Sequence, residues 1–299
     1  MKAKIIFCFL SMLFALAHAS QGSTIESASK AIHAMNMEAV ENNGEKAERI
    51  GAYYDQHVAA YQVASSLKQY SRADLELLFR AAFLAYAYRM HDADLNHMRM
   101  DQEELLRRGE VPEKLLKDFQ ASLIQARKFD EAAKLRQRHP TVKMSEVPPI
   151  VEQASEGSTA LVLNDENGIR TLRREALSIS DGLRILVIAH PQCQFSKYAV
   201  HDILDDPVLG PVFRDRAVWL MPQDGHLALS GMANWNRDYP AAPLSIAYRQ
   251  SDWPMVMQWA TPTFYVLDHG KPVSEITGWS REGNRAALIA ALKQAGLLK

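Results

Sequence analysis

The sequence has little cysteine and almost no excess of charge of either sign. The chain of 299 residues contains two cysteines, and its 34 Lys and Arg nearly balance 35 Asp and Glu, for a formal net charge of −1. Two thiols are too few for a disulfide-stapled small domain or for a zinc or iron–sulfur site built from several thiolates. The near-neutral balance gives no electrostatic reason to expect nucleic-acid binding. With 47% hydrophobic residues, the chain suits one or two globular domains rather than a disordered tail.

Two common catalytic signatures are also missing. The sequence has no Gly-rich phosphate-binding loop and no Gly-x-Ser-x-Gly element. The first is the mark of phosphate-loop nucleotide hydrolases, and the second marks the Ser-His-Asp hydrolases that place serine on a sharp turn. Neither class is therefore expected.

Residues 1–19 have the pattern of a secretory signal peptide. Lysines near the start precede an apolar run over residues 5–16, and a small-x-small triplet ends at Ala19. Beyond this segment no stretch reaches the roughly 18 consecutive apolar residues of a membrane-spanning helix. We therefore expect a periplasmic or secreted protein without a membrane span after cleavage. Cys8 would leave with the signal, so Cys193 would be the one thiol of the mature chain.

Residues 20–140 are predicted to form an all-α domain. Their apolar residues recur with helical spacing, Ser71 and Asp74 form a capping-box pattern, and Pro112 stands where a helix can begin. The segment 119–140 resembles a tetratricopeptide-type helical hairpin. Such arrays need about three repeats to bury a continuous core. Because the resemblance covers one hairpin, we expect a small helical bundle that includes it.

The composition changes after residue 140. Residues 141–157 contain two prolines and few large apolar groups, as in an interdomain linker. Residues 158–299 then show strand-like runs, which predict an α/β domain with a mixed sheet flanked by helices. The predicted strands are 159–163, 169–172, 183–189, 217–221, 244–248, 263–267 and 273–277, with helices at 194–204 and 281–295.

The second thiol occupies a chemically favourable position in this pattern. The apolar strand 183–189 is followed by His190-Pro191-Gln192-Cys193 and then by a helix, so Cys193 is expected at the helix N-terminus. Backbone amides and the positive end of the helix dipole stabilise a thiolate there and lower its pKa. Further along, Thr261-Pro262 directly precedes another apolar strand, a place suited to a cis peptide bond.

With these two motifs in this order, residues 158–298 resemble the thioredoxin-like superfamily. Cys193 matches the attacking cysteine of that family's Cys-x-x-Cys motif. Thr261 and Pro262 match its cis-proline dipeptide, which lies beside the thiol and pairs through its main chain with bound substrate. The resemblance covers about half of the chain and implies a thioredoxin-like fold with a site at Cys193, Thr261 and Pro262.

The family's second cysteine is replaced by Ser196, giving Cys-x-x-Ser. A serine hydroxyl cannot attack a mixed disulfide, so the usual dithiol cycle is not expected. Resemblance to single-cysteine members implies exchange with glutathione or another small thiol, isomerisation of substrate disulfides, or covalent capture of exported partners. No bound cofactor or metal is implied. The Ser196 hydroxyl is expected to donate a hydrogen bond to the thiolate and so to keep it reactive.

Two features near the thiol leave both a functional and a structural interpretation open. His190 is either a nearby cation or proton donor for Cys193, or a histidine with a structural role. Residues 224–254 form an insertion relative to a minimal thioredoxin and are rich in aromatic residues. Together with Trp259 and Trp279 they either line a groove that binds extended peptide or pack onto the core.

Other chemistry fits the sequence less well. Peroxiredoxins share the implied fold, but their motif has threonine three residues before the cysteine, where this chain has His190. A copper site over residues 90–100 would use methionine and histidine ligands, but His91 and His97 do not share a helical face. Ordinary helix residues explain that cluster better.

Two hypotheses of different class follow. In the first, Cys193 makes the protein a monothiol oxidoreductase or isomerase that acts on exported proteins or small thiols. In the second, the protein is a non-catalytic scaffold whose helical domain docks a partner. In either case an unpaired thiol in an oxidising compartment is expected to join a small thiol or form a disulfide-linked homodimer.

Overall fold

The structure, a computed structural model, describes residues 24–38, 43–109, 111–153, 156–166 and 168–299. The predicted signal peptide and Cys8 lie outside the described residues. The chain divides into two compact units, with the boundary between Ser145 and Glu146. Among the described residues, no helix has the length and apolar character needed to cross a membrane.

The first unit is helical, as the apolar spacing predicted. Helix α3 begins at the predicted capping box: the Ser71 hydroxyl accepts the Asp74 N–H, and the Asp74 carboxylate accepts the Ser71 N–H. The apolar stripe that follows, from Leu75 to Tyr86, is buried except at intervening positions such as the half-buried Phe83. The helices are α1 (residues 24–37), α2 (Asn43–His57), α3 (Arg72–Arg89), α4 (Asp92–Arg107), α5 (Glu113–Gln125) and α6 (Phe129–Arg138).

Helices α5 and α6 pack together in the segment predicted to form a helical hairpin. Pro112 is the N-cap of α5, and Arg127 takes a positive φ of 60° in the turn before α6. The Gln120 side chain donates to the carbonyls of Ala132 and Ser145 and accepts the N–H of Ser145. One buried amide thereby links α5, α6 and the segment that follows α6.

A chain of polar side chains runs through the core of the helical unit. His97 Nδ1 lies 2.7 Å from the Tyr54 hydroxyl, which donates to the side-chain oxygen of Gln62. The Gln62 amide in turn donates to Asp101, whose second oxygen, Oδ1, is buried without a hydrogen-bond partner. The chain therefore ends at a carboxyl group that is only half satisfied.

The second unit is built on one mixed sheet of eight strands in the order β1-β3-β2-β6-β5-β4-β7-β8. Helices α7 (Gln194–Asp205), α8 (Leu209–Arg216), α9 (Leu229–Asp238) and α10 (Arg285–Gln294) belong to the same unit. The α/β class predicted for this half of the chain is confirmed. The strands are β1 (Ile150–Glu152), β2 (Thr159–Glu166), β3 (Ile169–Ala176), β4 (Leu183–Ile188), β5 (Ala217–Met221), β6 (Leu244–Ala247), β7 (Thr263–Asp268) and β8 (Lys271–Thr277).

Strand β4 lies inside the sheet, parallel to β5 and antiparallel to β7. Its last four residues, 185–188, are fully buried, as a continuous apolar run requires of a strand covered on both faces. On one face Val187 lies opposite Trp219 in β5 and Phe264 in β7. The Phe213 ring of α8 contacts both of these aromatic rings. On the other face Leu186 belongs to a cluster that includes Trp253.

Several features of this unit were not predicted from the sequence, helix α8 (Leu209–Arg216) among them. The segment assigned to a linker contains β1, which pairs in parallel with β3 and has only two apolar residues to signal it. The predicted insertion, residues 224–254, contains helix α9, which the sequence did not indicate, beside strand β6, which was expected at 244–248. The last helix begins at Arg285 rather than near 281, since Gly283 takes a φ of +76° that a helix cannot continue through.

Candidate functional site

Cys193 lies where the sequence placed it, at the start of a helix after a buried strand. Strand β4 ends at Ile188, and the Cys193 N–H donates to the His190 carbonyl at 2.9 Å, closing a turn. Cys193 is the N-cap of α7 and is half-buried, with its thiol free. The sulfur is therefore close to the unpaired amides of the first helical turn.

The thiol also contacts the other predicted motif. Cys193 Sγ donates to the Thr261 carbonyl at 3.3 Å, and the Thr261–Pro262 peptide bond is cis. The two motifs are 68 residues apart in sequence. They meet because β4 and β7 are antiparallel neighbours, so the end of one strand lies beside the start of the other, with Ile188 opposite Thr263.

Ser196 is fully buried one helical turn after Cys193. Its hydroxyl oxygen accepts the backbone N–H of His190 at 3.2 Å, which leaves the hydroxyl hydrogen free to bond to sulfur. Burial raises the pKa of Cys193, but hydrogen bonds from the side chains of Thr261 and Ser196 and from the amides of Ser196 and Phe195 outweigh it. The net effect is a pKa below that of an ordinary cysteine, which favours the thiolate.

The segment that carries Thr261 and Pro262 is anchored on both sides. The buried Pro262 accepts the Gly278 N–H through its carbonyl at 2.8 Å. On the other side the Tyr265 hydroxyl accepts the Gln258 N–H at 2.8 Å and donates to the Gln258 carbonyl at 3.1 Å. The position of Thr261 against the sulfur is thus set by the sheet rather than by a free loop.

The aromatic residues predicted to line either a groove or the core belong largely to the core. Trp235 and Trp253 are buried, and their indole N–H groups donate to the carbonyls of Ala242 and Thr159. Trp279 is also buried and donates to Asp202 on α7. The groove interpretation of these three is therefore wrong.

Trp259 is partly buried and packs against the cluster that contains Trp253. Two other apolar side chains of this unit are exposed. Phe195 on α7 is 52% exposed, and Met257, between β6 and β7, is 76% exposed. Phe195 lies within the Cys-x-x-Ser motif itself. Phe195 is therefore an exposed apolar side chain two residues from Cys193.

His190 lies close to a side chain that nothing in the sequence pairs with it. Its Nδ1 accepts the Gln192 N–H at 3.2 Å, and its Nε2 lies 3.6 Å from Oδ2 of Asp224. Asp224 is remote in sequence, but it follows β5 just as His190 follows β4. Because parallel neighbouring strands end at the same edge of a sheet, the two side chains meet.

In the described part of the chain, no three or more His, Cys, Asp or Glu side chains lie close enough together to hold a metal ion. In the methionine and histidine segment considered for copper, Met98 is buried beside Ser122, and His97 contacts the Tyr54 hydroxyl. Both side chains thus have packing or hydrogen-bonding roles in the helical unit.

No family model, curated protein or solved structure matches this chain. Its function therefore has to be inferred from the geometry of the Cys193 site.

Proposed function

We propose that this is an exported thioredoxin-like protein that uses Cys193 as a single nucleophile, for thiol–disulfide exchange or for covalent capture of exported partners. One observation carries the proposal. Cys193, the N-cap residue of α7, carries a half-buried thiol with a lowered pKa, and its sulfur lies 3.3 Å from the carbonyl of Thr261, beside Pro262. Export follows from the predicted signal peptide.

The order of elements supports the thioredoxin-like part of the proposal. Strands β5, β4, β7 and β8 are consecutive in the sheet, α7 and α8 connect the parallel pair, and α10 follows the hairpin. This is the succession that the resemblance implies: a strand, the thiol helix, the cis-proline strand, a hairpin and a final helix. Strands β1, β2, β3 and β6 extend this core on the β5 side.

The chemistry needs the Cys193 thiolate and a second thiol, which belongs to the substrate or to another molecule. The Cys193 thiolate attacks one sulfur of a substrate disulfide, forms a new S–S bond and expels the other sulfur as a thiolate. The product is a mixed disulfide between Cys193 and the substrate. A second thiolate, from glutathione or another small thiol or from the substrate itself, then attacks the substrate sulfur and releases Cys193 as a thiolate.

Ser196 determines how long the mixed disulfide lasts. Its hydroxyl can hydrogen-bond the Cys193 sulfur but cannot displace the substrate. The covalent adduct therefore persists until a thiol of the substrate or of another molecule attacks it. A long-lived adduct suits capture or isomerisation better than rapid dithiol reduction.

The first test is the pH dependence of Cys193 alkylation by iodoacetamide. The full chain is used with Cys8→Ser, so that Cys193 is its sole thiol. We expect the midpoint to lie clearly below the value of about 8.5 for a free cysteine. Ser196→Ala removes a hydroxyl donor and should move the midpoint upward. If the alkylation midpoint of Cys193, with Ser196 unchanged, lies at or above the value for a free cysteine, the proposal that Cys193 is an activated nucleophile is wrong.

The second test is intact mass after treatment with oxidised glutathione. One glutathione should add to the chain, and reductant should remove it. The test uses the same Cys8→Ser chain, and Cys193→Ser in that chain is the matched control, because serine is nearly isosteric with cysteine and has no thiol. If partner capture and disulfide exchange survive in Cys193→Ser, the scaffold alternative is favoured over covalent chemistry.

A further inference from the structure

Helix α9 packs against the turn that carries Cys193. The helix begins at Leu229, and a β-carbon on its third residue, Gly231, would lie 3.3 Å from Cγ and 3.4 Å from Cβ of Pro191. Pro191 is buried and stands two residues before Cys193. The first turn of α9 therefore meets the proline of the thiol turn with little room for a methyl group between them.

Space, and not backbone conformation, explains why residue 231 is glycine. Gly231 is not among the residues of the described chain with a positive φ, so the backbone here does not require glycine. Alanine is a better helix former than glycine. A β-carbon would, however, meet a proline ring, which cannot turn aside as the end of a flexible side chain can. Glycine thus allows α9 to approach Pro191 more closely than another residue would.

Helix α9 is fixed to the sheet, so it can hold the turn in place. The Asn236 side chain accepts the Leu244 N–H at 2.7 Å and donates to the Leu244 carbonyl at 3.2 Å, which ties α9 to β6. The buried Trp235 ring contacts Trp219 of β5, with 5.9 Å between the ring centroids. An atom added at residue 231 is therefore expected to displace the turn rather than the helix.

Pro191 shares a peptide bond with His190, whose backbone groups position the thiol. The His190 carbonyl accepts the Cys193 N–H at 2.9 Å. The His190 N–H donates to Ser196 Oγ at 3.2 Å, at the upper end of the usual range for such a bond. A shift of a few tenths of an ångström at Pro191 is enough to take the second bond out of that range. The Ser196 hydroxyl, which also bonds to the sulfur, would then lose its fixed orientation.

We propose that Gly231 is a positioning residue: by letting α9 pack against Pro191, it holds the turn in the geometry in which Ser196 bonds to the Cys193 sulfur. The proposal rests on the proposed function, because it concerns the reactivity of the same thiol. It also gives a role to the predicted insertion of residues 224–254, to which α9 belongs. That segment supports the thiol turn from the side of β5 and β6.

The test is the pH dependence of Cys193 alkylation by iodoacetamide in the full chain with Cys8→Ser. Gly231→Ala should raise the midpoint by about half a unit, because the thiolate loses part of its hydrogen bonding. Below the midpoint, this corresponds to an alkylation rate about three times lower.

Asn234→Ala is the matched control. It also places alanine on α9 and raises helix propensity. Residue 234 is exposed, however, and its side chain bonds to Arg237 of the same helix. The alkylation midpoint of this variant should equal that of the chain with Cys8→Ser alone.

A second pair of variants separates the contact with Pro191 from a general effect on the helix. Pro191→Ala removes Cγ, the ring carbon nearest to the added β-carbon. In that background Gly231→Ala should leave the midpoint nearly unchanged, whatever Pro191→Ala does on its own. A shift of the same size in both backgrounds, or no shift with the proline present, overturns the proposal.

Hydrogen exchange of the chain with Cys8→Ser alone covers the case in which Gly231→Ala does not fold. The Met232 N–H bonds to the Ala228 carbonyl in the first turn of α9. If α9 holds the turn, this amide should be at least as well protected from exchange as the Cys193 amide. Much faster exchange at Met232 would mean that the turn stays closed while the helix opens, which overturns the proposal.

The two proposals fail differently. An alkylation midpoint of Cys193 at or above the value for a free cysteine refutes the activated nucleophile. A depressed midpoint that Gly231→Ala does not change refutes only the role of Gly231.

Discussion

At the scale of single residues, the Thr261 side chain is expected to lower the pKa of the Cys193 thiol. Its hydroxyl is among the donors that hold the pKa of Cys193 down against the rise that burial causes. Thr261→Val keeps the shape and the backbone carbonyl but loses that donor. We expect the alkylation midpoint of Cys193 to rise by about half a unit. Thr277→Val, on the exposed edge strand β8, should leave the midpoint unchanged; an equal rise in both variants would contradict the assignment.

Asp101 gives a second prediction for a single residue, with a definite sign. Burial raises the pKa of Asp101 well above its usual range, and the hydrogen bond from Gln62 offsets only part of that rise. In the unfolded chain the pKa of this carboxyl group is about 3.9. The folded group retains its proton to higher pH. Stability is therefore fully present below the unfolded pKa and is lost as the pH rises, by about 1.4 kcal/mol per pH unit, until the folded group ionises.

Asp101→Asn tests this prediction because it retains the shape and cannot ionise. Urea denaturation from pH 4 to pH 8 should show similar stability near pH 4 and a growing advantage of the variant at higher pH. Asp94→Asn is the control, since Asp94 is also buried but forms a bidentate ion pair with Arg89. That variant should lose about 1–3 kcal/mol, because it weakens the bonds on one side of Arg89 while Asp55 remains paired on the other. Parallel pH profiles for the wild type and Asp101→Asn would be inconsistent with a buried protonated carboxyl.

At the scale of elements, α3 depends on its capping box. Ser71→Ala removes the acceptor of the Asp74 N–H and should destabilise the helical unit by about 1 kcal/mol. Ser66 is a suitable control, because it precedes a short 3₁₀ turn and its side chain makes no capping bond. Ser66→Ala should change the free energy of unfolding by less than about 0.5 kcal/mol. If Ser71→Ala and Ser66→Ala lower the thermal unfolding temperature equally, the capping box does not stabilise α3.

The segment between β6 and β7 depends on Trp253. The ring is fully buried in the cluster on one sheet face, and its N–H donates to the Thr159 carbonyl at 3.0 Å. Trp253→Ala should cost about 3–5 kcal/mol through the cavity and the lost bond. Met257→Ala, at a 76% exposed position in the same segment, should cost less than about 0.5 kcal/mol. Chemical denaturation followed by circular dichroism distinguishes the two.

At the scale of the whole molecule, the candidate site belongs to one unit. The hydrogen bonds described around Cys193, Ser196 and Thr261 join residues between His190 and Gly278, all within residues 146–299. A fragment of residues 146–299 should therefore fold and alkylate Cys193 with the midpoint of the full chain. A folded fragment with the midpoint of a free thiol would mean that residues before 146 contribute to the site.

Much of the local structure could be predicted from the sequence because its signals are local. The capping residues of α3, the proline before α5 and the apolar run of β4 each lie within a few residues of the element they specify. Strand β1 could not be predicted, since it exists only through pairing with β3. The same holds for Asp224, whose relation to His190 arises from the parallel pairing of β4 with β5.

The sequence by itself determined the helical first half, the α/β second half, and a thiol at a helix N-terminus without a second cysteine three residues later. These follow from periodicity, capping and residue type, which act over one or two turns of chain. The family resemblance implied that Thr261 lies beside the Cys193 sulfur, and the structure has that contact. Only the tertiary structure decided that the large aromatic residues are core and that Asp224 faces His190. Each of these depends on which strands are neighbours, and strand order is set by packing between residues far apart in the chain.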